Sequence, residues 1–124
     1  MEQGGDMTDR ELLVLAAESA FIPVIKKEII TSRIAAFREI KHTKRSVLWL
    51  DGVEWNPLTD DGDALRLAVK LSIHVRPWVY ACEAEDSNGM STGLIHASDC
   101  GGDVCAATRR AIVLAAAMIG KKMQ

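Results

Sequence analysis

The run Trp55-Asn56-Pro57-Leu58-Thr59-Asp60-Asp61-Gly62-Asp63-Ala64-Leu65-Arg66-Leu67-Ala68-Val69-Lys70-Leu71 decides how this chain folds. A strand end, a turn and a helix start follow one another in it. Asn56-Pro57 breaks an extended segment, because proline has no N–H to give to a sheet. Thr59 or Asp60 caps the helix that follows, its side-chain oxygen taking a free backbone N–H. Asp60, Asp61 and Asp63 bring negative charge to the positive end of that helix. Leu65, Leu67, Ala68, Val69 and Leu71 are apolar around more than half its circumference, which predicts a well-buried helix.

Working back toward the N-terminus, Ser46-Val47-Leu48-Trp49-Leu50 and Val53-Glu54-Trp55 flank Asp51-Gly52. Asp-Gly supplies the positive φ angles of a two-residue hairpin turn, which pairs Leu50 with Val53, Leu48 with Trp55, and Trp49 with Glu54. The first four point to the core and the last two to the opposite face. Residues 22–42 are ambiguous. Their isoleucines, with Phe37, fall on one helical face, and a helix is the preferred reading; a bent hairpin is the alternative. Thr8 and Glu11 form a capping box ahead of the apolar series Leu12, Leu13, Leu15, Ala16, Ala20, so a helix is predicted over 8–20.

Toward the C-terminus, residues 73–84 alternate as one strand. Ile73, Val75, Val79 and Ala81 lie on one side; His74, Arg76, Trp78, Tyr80 and Cys82 lie on the other. Pro77 marks an edge or a bulge. Asp86-Ser87-Asn88-Gly89 is a turn, and 91–97 returns as a second strand. Asp103 caps a last helix over 104–119, whose small face (Ala107, Ala111, Ala115, Ala116) permits close approach to a sheet. Gly120 stands where a C-terminal cap belongs, followed by Lys121 and Lys122. The expected architecture is α+β: a flexible tail over 1–7, then one domain over 8–124. About four antiparallel strands, in two hairpins, pack with three or four helices in an αβα-sandwich-like arrangement.

Hydrophobic residues make up 48% of the 124 and charged residues 26%, ordinary for one globular domain. No apolar run approaches the ~20 residues that span a bilayer, so no membrane role is expected. The acidic, polar opening Met1-Glu2-Gln3-Gly4-Gly5-Asp6 has no secretory-signal pattern, which favours the cytoplasm. Three cysteines, an odd number, fit free thiols. The net charge is −2, yet Lys26, Lys27, Arg33, Arg38, Lys41, Lys44 and Arg45 face only Glu28 and Glu39 in 22–45. That segment is a candidate nucleic-acid contact, not the favoured one: binding of nucleic acid also wants stacking aromatics, and it offers only Phe37.

Few residues suggest chemistry. Asp60, Asp61 and Asp63 diverge around a helix axis and make a poor cation site. His96, Cys100 and Cys105 are loosely spaced for zinc and need Cys82 or His74 as a fourth ligand; no metal or cofactor is expected. Cys105 early in the last helix is a candidate nucleophile beside His74 or His96, although packing as a small buried residue is the preferred reading. Arg109 and Arg110 grip phosphate or carboxylate, or bridge to Asp99, Asp103 or the acids near residue 60; the bridge is preferred. Trp49, Trp78 and Tyr80 lie away from the expected core. They are covered by a second helical layer or form a partner-binding patch.

The run 55–71 resembles a segment of the phage ABA-sandwich group of small phage and prophage proteins. Ala106-Ala107-Thr108-Arg109-Arg110-Ala111-Ile112-Val113-Leu114-Ala115-Ala116-Ala117-Met118-Ile119-Gly120-Lys121-Lys122 and Met7-Thr8-Asp9-Arg10-Glu11-Leu12-Leu13 resemble the same group. The chain departs from it over 22–45 and at Gly102-Asp103-Val104-Cys105, where such proteins often carry Asp-Pro. The resemblance implies phage origin, the bacterial host's cytoplasm and an accessory role, and carries no catalytic residue. The expected function is a non-enzymatic binder of a host protein through Trp49, Trp78, Tyr80, Lys26, Lys27, Arg33, Arg109 and Arg110. The alternatives are nucleic-acid binding through 22–45 and a small thiol enzyme. The isoleucine face of 22–42 either completes the core or forms a homodimer.

Overall fold

The computed structural model describes the backbone of residues 7–21, 38–40, 45–50 and 53–122, and the side chains of 7–20 and 54–122. Among these residues the fold is α+β, with three α-helices and two antiparallel three-stranded sheets. Helix α1 is Asp9–Phe21. The capping box ahead of it is formed as expected: the Glu11 N–H donates to the Thr8 hydroxyl at 3.1 Å, and the Thr8 N–H donates to the Glu11 carboxylate at 2.9 Å.

The first sheet contains β1 (Arg38–Ile40), β2 (Arg45–Leu50) and β3 (Val53–Trp55) in that order. The hairpin register is the expected one: Leu48 opposite Trp55, Trp49 opposite Glu54, Leu50 opposite Val53. The Trp55 side chain is buried. The Asp51-Gly52 turn and the Trp49 side chain lie outside the described residues. A helix over 22–42 is overturned at its C-terminal end, where β1 pairs with β2. Ile40 there serves a ladder, as a β-branched residue readily does. Residues 22–37 lie outside the described ones.

Helix α2, Asp61–Leu71, starts at Asp60, whose carboxylate accepts from the Asp63 N–H. It stops at Ser72 in the left-handed conformation, with the Ile73 N–H reaching back to the Ala68 carbonyl at 2.9 Å. Ala64, Leu67 and Ala68 face the core, but Leu65 and Val69 are exposed. The helix is thus half-buried, not enclosed: its apolar residues exceed the surface that the neighbouring elements cover.

The second sheet contains β4 (His74–Pro77), β5 (Ala81–Glu85) and β6 (Ser91–His96). The single strand expected over 73–84 is two strands of a hairpin, bent over Trp78-Val79-Tyr80. Pro77 is the last residue of edge strand β4; it stands opposite Cys82 at a position where its missing N–H faces away from β5, which an edge strand tolerates. The bend resets the alternation. Val79, placed on the core side by a continuous strand, is exposed, and Cys82, placed opposite, is buried. The Asp86 carboxylate, buried, holds the next turn by accepting from the Asn88 and Met90 N–H groups.

A short 3-10 turn, Ala97–Cys100, leads to α3, Val104–Lys122. Asp103 caps α3 by accepting from the Cys105 N–H. Helix α3 lies across β4, β5 and β6 and also packs along α1 and α2. The core is therefore rich in small residues: Ala16, Ala17 and Ala20 of α1, Ala111 and Ala115 to Ala117 of α3, and Cys82 and Ala84 of β5. Among the described residues Leu13 and Val113 are the largest aliphatic side chains fully enclosed there, each contributing about 1.5–3 kcal/mol. Gly120 is not a C-terminal cap; it is buried inside α3, which continues to Lys122.

Candidate functional site

The site begins at Pro77. Beyond Pro77 the Trp78 N–H makes the last cross-strand bond, donating to the Ala81 carbonyl at 2.7 Å, and the chain turns over Val79 and Tyr80. The Tyr80 carbonyl accepts from the Ala97 N–H at 2.8 Å, tying the turn to the start of the 3-10 segment. Its backbone is thus held at both ends, while the side chains have little around them: Trp78 is 59% exposed, Val79 76% and Tyr80 79%. Three large apolar or aromatic side chains are exposed in succession, unlike the isolated exposed aliphatics of an ordinary surface.

Strand alternation gives the second sheet two unlike faces. Val75, Cys82 and Ala84 lie on the face covered by α3; His74, Arg76, Glu83 and Glu85 lie on the other. Arg76 forms ion pairs with Glu85 and Glu83, and the Ser91 hydroxyl donates to Glu83 at 2.5 Å. The Glu85 carboxylate holds the Arg76 guanidinium above its ordinary range, through its hydrogen bond first and its charge second. These groups satisfy one another and flank the exposed Leu94.

A groove of about 300 Å³ runs between α2 and α3. Ala64, Leu65, Ala68, Val75 and Ile112 supply its apolar lining, with Cys105 and Thr108 beside them and Asp61 and Arg109 also at its wall. Arg109 is spoken for: its Nε donates to the Leu58 carbonyl at 2.8 Å and its Nη1 to Asp61 at 2.7 Å. The Thr108 hydroxyl donates to the Val104 carbonyl.

The sequence-derived candidates therefore separate. Trp78 and Tyr80 come together at the hairpin tip. Arg109 bridges to Asp61, among the acids near residue 60, while Arg110 pairs with Asp9 at 3.0 Å, a partner on α1 that local spacing does not reveal. Lys26, Lys27 and Arg33, like the Trp49 side chain, lie outside the described residues. Cys105 is exposed, not buried, and Cys82 is the enclosed thiol. Burial pushes the Cys82 thiol up, the Thr108 hydroxyl and the Arg76 backbone pulling it partly back. His74 and His96 sit on the sheet face turned away from α3, so the fold does not bring a histidine to Cys105 through the sheet. Among the described residues no three His, Cys, Asp or Glu side chains gather to hold a metal ion. No helix among them is long and apolar enough to cross a membrane.

Val79 is the contributor that the alternation pattern misplaced; Pro77 directly before Trp78-Val79-Tyr80 is the signal that the strand ends there. Comparison of the chain with protein-family models, curated proteins and solved structures finds no match.

Proposed function

We propose that this chain is a small phage or prophage accessory protein that binds a host protein without chemistry of its own, and that the Trp78-Val79-Tyr80 turn is its main contact. The exposure of those three side chains on a pinned backbone carries the reading. Trp and Tyr dominate binding energy at protein interfaces because they bury a large rigid area and retain a polar handle. A turn already held at both ends has little ordering left to undergo on binding, so more of the burial energy appears as affinity. The resemblance of 55–71 to the phage ABA-sandwich group supports a host protein as the partner.

Tagged wild type and a Trp78→Ala, Tyr80→Ala variant, incubated with nuclease-treated bacterial lysate, test this. The expected result is a stoichiometric protein retained by the wild type and lost from a variant that melts at the same temperature. Equal capture by both, or none by the wild type, counts against it.

A further inference from the structure

We draw no further inference here: the strongest candidate, the apolar groove between α2 and α3 lined by Ala68, Val75 and Ile112, has Arg109 already paired with Asp61 at its wall, and nothing in the structure shows what covers it.

Discussion

Gly120 of α3 packs directly on the backbone of Leu15 in α1. A Cβ at position 120 would stand closer to the Leu15 carbonyl oxygen than the 3.0 Å that real Cβ atoms keep. The two helices approach through small residues, and this is the point at which even a methyl group does not fit.

Gly120→Ala therefore sets two effects against each other. Alanine gains roughly 1 kcal/mol of helix propensity over glycine. The clash is with backbone, which yields only if the helices part, and overpacking of this kind costs about 1–3 kcal/mol, sometimes more. The net expectation is destabilisation, read as a lower urea midpoint with an unchanged slope. A variant as stable as wild type would mean that α1 and α3 are further apart than described.

Asp63 and Asp60 both serve the start of α2, and their loss should differ in size. Asp60 caps the helix by accepting from the Asp63 N–H at 2.8 Å, an interaction worth about 1 kcal/mol. Asp63 accepts from the N–H of the buried Asn56 at 2.9 Å and also holds Arg66. Asp63→Ala strands that N–H, at a cost of roughly 1–3 kcal/mol. Denaturant titration should rank wild type above Asp60→Ala and that above Asp63→Ala; the reverse order would remove the Asn56 argument.

These features were legible because short-range chemistry sets them. The Thr8 and Glu11 box, the Asp60 cap and the pairing of Leu48 with Trp55 each follow from residues a few positions apart. What was illegible depends on distant neighbours. Gly120 before two lysines reads as a helix stop, and only the approach of Leu15 gives it another role. Ser72 ends α2 at a φ of 56°, a conformation that sequence reading assigns first to glycine. Leu65 and Val69 look like core because periodicity reports which residues are apolar, not which of them the neighbouring elements reach. Of the candidate site, Trp78 and Tyr80 were recognisable as residues away from the core. The bend that presents them with Val79 was hidden by apolar alternation running straight through Pro77.

Arg109 and Asp61 form an unequal pair. The Arg109 side chain is 17% exposed and also holds the Leu58 carbonyl, whereas Asp61 is 79% exposed. Asp61→Asn should change stability by less than about 1 kcal/mol, as exposed ion pairs do. Arg109→Ala removes a charge-assisted hydrogen bond to the turn and the packing of the side-chain stem, and should cost about 1.5–3 kcal/mol. Equal melting temperatures for the two variants would show that Leu58 does not depend on Arg109.

The hairpin tip should be thermodynamically quiet. Trp78→Ala and Tyr80→Ala remove side chains that face outward, and such substitutions usually stay within about 0.5 kcal/mol. Thermal melts of both variants should overlay the wild type. A marked loss of stability would show that the tip is packed against the rest of the chain, and would withdraw it as a contact surface.

Cys82 couples stability to pH. Its side chain is 0% exposed, and burial raises its pKa above the ordinary thiol value of 9.0. The folded thiol then holds its proton more tightly than the unfolded one. The resulting contribution is fully present below the unfolded value and is lost as pH rises through the folded value. The pH dependence of the whole chain sums over many groups, so the informative quantity is a difference. Denaturant titrations of wild type and Cys82→Ala at about pH 7 and about pH 10 isolate it. Wild type should lose more stability than the variant between the two. Alkylation under native conditions gives an independent reading, with Cys105 labelled first, Cys100 next and Cys82 last, in the order of their exposure. If the two proteins lose equal stability and Cys82 is labelled as fast as Cys105, the thiol is not enclosed beneath α3, and the packing of that helix on β5 is wrong.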